Sequence, residues 1–141
     1  MKWITSADIR NWVNTLHRDC EENLPLLLRK LIFQTAPSAK EINFPAGDSV
    51  TVEGWDGKLE TEFSSPFFPA GKSGWEIGTE KSAVSKANKD YEKRSADPLG
   101  LPLHESTFMF VTPRSWPKRK QWETQKRAEG RWRDVRVIAG E

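Results

Sequence analysis

Two acidic residues flanked by tryptophan and glycine stand out as candidates for chemistry: Asp56 in Gly54-Trp55-Asp56-Gly57 and Glu76 in Gly74-Trp75-Glu76-Ile77-Gly78. The first segment reads as a tight hairpin turn and the second as a short strand, and a lysine-rich helix opens near Ser82. A carboxylate at a turn, another on the next strand and amines on the helix behind them are the parts of a metal-dependent phosphodiesterase. Carboxylate oxygens suit a hard cation such as Mg2+ or Mn2+, which makes a nucleophile of water and stabilises charge on a phosphate. The same residues also have a structural reading. Asp-Gly is ordinary turn chemistry, and a lone Glu on a strand ordinarily faces solvent.

Those residues need a scaffold, and the pattern supplies one. Thr5-Ser6-Ala7-Asp8 has the form of a capping box, opening a helix with Ile9, Trp12, Val13, Leu16 and Cys20 on its apolar face. Asn23 is placed to cap a second helix with Pro25 in its first turn and a stripe of Leu24, Leu27, Leu28, Leu31 and Ile32, ended by Ala36-Pro37-Ser38. After a short strand at Ile42 to Phe44 the period turns from helical to alternating. Val50 and Val52, then Leu59, Thr61 and Phe63, predict an antiparallel hairpin about the Gly54 to Gly57 turn. A strand at Trp75 to Thr79 follows a loop whose aromatics are expected to pack over the sheet. Ser82 then caps a helix with Ala83, Ala87 and Tyr91 on one face and Lys86, Lys89, Lys93 and Arg94 elsewhere. Thr107 to Val111 is continuous apolar β-former, as expected of a strand covered on both faces. A basic helix between Pro117 and Gly130 and a last strand from near Trp132 complete a mixed three-layer α/β/α sandwich.

The 141 residues fit one domain, with residues 1–22 as an N-terminal helical extension and 24–138 as the core. The single cysteine, Cys20, excludes an intramolecular disulfide and reads as a small core residue in a reducing compartment. No apolar run approaches the roughly 18 residues of a membrane span, and the N-terminus lacks a signal-peptide core, so no membrane partner and a cytoplasmic location are expected. The net charge of +2 is unevenly spread: from Val111 onward nine basic residues face four acidic ones, a local +5 that leaves −3 for the rest. Basic clustering of this kind is the footprint of a phosphate-backbone binder, with Lys118, Arg119, Lys120, Arg131 and Arg133 as its candidate contacts.

Taken as a set, these segments resemble the restriction-endonuclease-like superfamily of PD-(D/E)XK nucleases, whose core order is helix, three strands, helix, strand. The segments that carry the resemblance are Phe44 to Val50, the Trp-Asp-Gly turn, Trp75 to Gly78, Asp90 to Arg94 and Phe110 to Arg114. Within the superfamily the chain is most similar to Mrr-like nuclease-type domains at the N-termini of bacterial defence proteins. The resemblance implies Asp56 and Glu76 as the metal ligands, twenty positions apart, with Mg2+ or Mn2+ as cofactor and DNA as substrate. It also implies a lysine two residues beyond Glu76, where this chain has Gly78. Related nucleases move that lysine to the following helix, which makes Lys86 the leading candidate and Lys89 the second, with Asp48 and Tyr91 as secondary site residues. The domain is then expected to be the N-terminal part of a longer protein, joined to a sensor or ATPase domain or assembled as a homo-oligomer. The rival expectation, prompted by Gly78, is a catalytically inactive module for nucleic-acid binding or assembly.

Other chemistries find less support. His17 and His104 are the only histidines, far apart and without a second cysteine, so a zinc site is not expected. The serines sit in no nucleophile-elbow pattern, and no glycine-rich loop leads into Lys-Ser or Lys-Thr. The seven tryptophans are expected to pack in the core rather than stack on bases.

Overall fold

Thr5 starts the first helix as its sequence requires. Its hydroxyl accepts from the Asp8 N–H while the Asp8 carboxylate accepts the Thr5 N–H at 2.9 Å, and α1 runs over Ser6–Thr15. The computed structural model describes residues 5–36, 39–45 and 54–140. Asp48, the Val50 to Glu53 arm of the expected hairpin and Trp3 lie outside them.

The first helix ends earlier than its apolar spacing predicts. The chain breaks at Leu16, which is exposed, and α2 runs without interruption over His17–Thr35. Pro25 therefore lies inside α2, and Asn23 is no cap, since its amide bonds back to the Asp19 carbonyl at 2.9 Å. The buried row Cys20, Leu24, Leu28 and Ile32 explains the continuity. Packing along one face outweighs the single hydrogen bond that proline removes, as tertiary context commonly overrides local propensity. The boundary expected between residues 22 and 24 consequently falls within a helix, and Leu31, assigned to the stripe, faces outward.

Five strands follow: β1 Glu41–Asn43, β2 Gly57–Thr61, β3 Gly71–Ile77, β4 Ser106–Val111 and β5 Asp134–Ile138. They form one mixed sheet in the order β1-β2-β3-β4-β5. β2 is antiparallel to both neighbours, whereas β3, β4 and β5 are parallel. The parallel pairs need crossovers, and these are the helices α3 (Ala83–Ala96) and α4 (Arg119–Ala128). β3 begins four residues before the expected Trp75, because Gly71 to Gly74 pair with β2. β2 ends at Thr61, which leaves Phe63 exposed rather than on the buried face.

β4 is buried at every position, as its composition predicts. Its side chains alternate between two cores. Met109 and Val111 join Leu24, Leu28 and Ile32 of α2 with Phe44, Leu59 and Trp75. Phe108 and Phe110 join Ala83, Ala87 and Tyr91 of α3, Trp122 of α4 and Trp55, Trp116 and Trp132. Five tryptophans are thus core residues, and Phe67 packs 6.0 Å from Trp75 as the expected loop cover. Cys20 is fully buried, and its burial pushes the thiol up to about 11, leaving it unreactive. No helix among the described residues is long and apolar enough to cross a membrane.

Candidate functional site

The antiparallel register of β2 on β3 brings the two acidic segments together. Gly57 pairs with Trp75, so Asp56 enters the sheet beside Glu76. Trp55 anchors the turn: its indole donates to the Pro98 carbonyl at 2.9 Å, and its ring lies where a side chain at Gly74 would be. Asp56 is held in turn by the Ile77 N–H, which donates to Oδ2 at 2.8 Å. Its partner projects from the opposite face to Trp75 and meets α3. There Arg94 donates through Nε to Glu76 and through Nη2 to the Gly54 carbonyl, with its guanidinium 5.3 Å from the Trp55 ring centre.

Glu76 is not the solvated strand residue of the structural reading: it is 4 % exposed. Burial, followed by the charge and hydrogen-bonding reach of Asp56, pushes its carboxyl up to about 9 despite Arg94. The neighbouring carboxylate and the loss of water both disfavour the charged form of Glu76.

Lys86 lies on the first turns of α3, the helix that runs behind both carboxylates. A Cβ at Gly78 would stand 2.6 Å from Lys86 Cγ and 2.8 Å from Phe110 Cζ, so the lysine stem fills the place of a side chain at 78. Its amine pairs with Asp90, one turn on, at 3.1 Å. Burial opposes the charge on Lys86, but Asp90, with Glu76 and Glu80 beyond it, raises its pKa above the ordinary lysine value. Burial also raises the Asp90 carboxyl, with Lys86 pulling the other way. The two shifts oppose each other over the ion pair; the 3.1 Å contact decides for the paired state, and among the described residues Oδ2 of Asp90 has no hydrogen-bond partner.

Asp56 and Lys86 line a cleft of about 260 Å³ with His17, Glu21, Pro25, Ile77, Thr79 and Glu80. His17, at the start of α2, contacts the Thr79 hydroxyl at 2.9 Å. Sequence reasoning passed over His17, Asp90 and Arg94 as site residues. Asp90 had a signal, the Lys-Asp spacing of four on one helix, whereas His17 is 39 residues from Asp56 and only the packing of α2 on the sheet unites them.

The remaining expected residues go elsewhere. Lys89 is exposed on α3. Tyr91 points away from the cleft, into the α3–α4 contact, where its hydroxyl bonds Glu129 at 3.2 Å and its ring meets Phe108 and Trp122. The five basic candidates do not form one patch. Lys118, Arg119 and Lys120 open α4 just beyond the C-terminal end of β4, the end of the sheet that carries the carboxylates. Arg131 and Arg133 precede β5 at the other end, the Arg133 N–H bonding the Ser106 carbonyl at 3.0 Å. Arg131 is also engaged by Glu92 at 3.2 Å and lies over the Tyr91 ring. The clustering read from the sequence is separated by the length of a crossover helix.

The donor set suits a hard cation in kind. Asp56 enters the sheet beside Glu76, near enough for its charge to help raise the Glu76 carboxyl. Among the described residues, no group of three or more His, Cys, Asp or Glu is arranged to hold an ion. Two carboxylates with water completing the shell match magnesium, which keeps several waters and takes one or two carboxylates. Compared with protein-family models, curated proteins and solved structures, the chain matches none.

Gly78 provides a direct check on this geometry. Gly78→Ala is expected to destabilise the domain by about 1–3 kcal/mol, the usual cost of overpacking. Thermal or urea unfolding measures it, and a neutral result would mean that the lysine stem does not occupy that space.

Proposed function

We propose that this chain is a nuclease-type domain that hydrolyses DNA phosphodiesters with a divalent cation, on a restriction-endonuclease-like three-layer α/β/α scaffold. The observation that carries the reading is the cleft that Asp56 and Lys86 line at the sheet end where Glu76 lies buried beside Asp56, with the Lys86 stem filling the place of a side chain at Gly78. The scaffold is supported by the element order, since α2, β1 to β3, α3 and β4 follow the helix, three strands, helix, strand sequence of that superfamily. Helices on both sides of β4 support the three layers. A role in bacterial defence, with a sensor, ATPase or oligomerising segment in a longer chain, rests on the resemblance alone.

In this reading Asp56 and Glu76 hold the ion, the amine of Lys86 stabilises charge on the phosphate, and Lys118 to Lys120 steer the DNA backbone to the same sheet end. When bound, Mg2+ or Mn2+ supplies Lewis acidity and activates water for attack on the phosphate. The hydrogen bond from Arg94 to Glu76 must give way, because it occupies one of the oxygens that the ion would take.

That Arg94 contact also favours a second reading, an inactive module in which a guanidinium has permanently replaced the cation. Duplex DNA incubated with the protein and Mg2+ or Mn2+ separates the two. Cleavage that EDTA abolishes supports the nuclease. Salt-dependent binding that leaves DNA intact supports the module, and neither binding nor cleavage removes nucleic acid from the function.

A further inference from the structure

We propose that Asp90 is a positioning residue that holds the Lys86 amine at the carboxylate cleft. This rests on the carboxylate and lysine reading of the site and extends it to a residue to which that reading gives no role.

Three features of Asp90 carry the inference. It lies four residues beyond Lys86 on α3, hence on the same helical face, and its Oδ1 takes the amine at 3.1 Å. Its side chain is only 7 % exposed, and its buried Oδ2 has no hydrogen-bond partner among the described residues. An aspartate kept where one acceptor goes unsatisfied costs stability, so packing alone gives no reason for the charge. The third feature is the route of the lysine. Its stem lies against Gly78, which the Phe110 ring also borders, but the side chain remains 25 % exposed, leaving the amine a way out to solvent. A lysine borne on β3 would be directed by the strand itself. A lysine arriving from a helix needs a fixed counter-charge at its tip, and Asp90 supplies it.

The test is a double-mutant cycle with two readouts. In a magnesium-dependent cleavage assay, Asp90→Asn is expected to lower kcat about 10- to 100-fold with KM nearly unchanged, the usual scale for a residue that orients a catalytic group. In a Lys86→Gln background the same substitution should cost nothing further, since its effect is transmitted through the amine. The second readout needs no activity. The Lys86 ammonium 15N resonance, assigned by its loss in Lys86→Gln, should stand apart from those of exposed lysines and merge with them in Asp90→Asn. Asp90→Ser, which removes the charge and the empty acceptor together, serves where Asp90→Asn does not fold. Equal losses in both backgrounds, or an ammonium signal unmoved by either variant, would overturn the proposal. If the wild type does not cleave DNA, the nuclease reading fails and the resonance alone decides whether Asp90 holds the amine.

Discussion

Asp56→Asn and Glu76→Gln are each expected to lower magnesium-dependent cleavage by several orders of magnitude while leaving the domain folded. Removing one carboxylate charge leaves the ion, and with it water and phosphate, poorly positioned, and misplacement at a reacting centre is far more costly than a lost surface contact. The choice of substitution matters because of burial. Glu76 and Arg94 form a buried pair, with side chains 5 % and 8 % exposed. Glu76→Ala would leave the buried guanidinium without its hydrogen-bond acceptor and is expected to cost about 1–3 kcal/mol, a large share of a marginal stability. Asp56 is half-buried and accepts one backbone N–H, so Asp56→Ala should be milder. Initial cleavage rates beside urea midpoints for all four variants separate lost chemistry from lost fold. Equal rates in wild type and Asp56→Asn would mark the activity as a contaminant.

The second large effect is on stability against pH. The Glu76 carboxyl rises from an ordinary 4.5 to about 9 in the fold. Below about pH 4.5 folded and unfolded states are both protonated, and the group carries no cost. Between that value and about 9 the folded state keeps a proton that the unfolded chain releases, so stability falls as pH rises, at up to about 1.4 kcal/mol per pH unit. Asp90, also raised, contributes with the same sign. In EDTA the urea midpoint is therefore expected to drop steadily from pH 6 to pH 8.5. With saturating Mg2+ the slope should flatten or reverse, because an ion takes the place of the proton and its binding strengthens as the carboxyl deprotonates. A midpoint that is flat or rising in EDTA over this range would show that Glu76 is ionised in the fold and that Arg94, not a proton, balances it.

What the sequence determined by itself was local. Apolar spacing placed the buried strand β4, the Ser82 cap and buried face of α3, and the capping box at Thr5, because these depend on side-chain period and on hydrogen bonds within a few residues. The Trp-Asp-Gly turn and the Trp-Glu strand could be singled out for the same reason, as residue types at particular spacings. The tertiary structure decided everything that depends on what lies across a gap. It carried α2 through Pro25, since the row from Cys20 to Ile32 gains more by packing on the sheet than the proline costs. It divided the basic residues between the two ends of the sheet, which a charge count along the chain cannot detect. It also settled the burial of Glu76 against Arg94, the passage of Lys86 across Gly78 and the entry of His17 into the cleft. These contacts join residues 8 to 62 positions apart, and only strand register and helix packing bring such residues together.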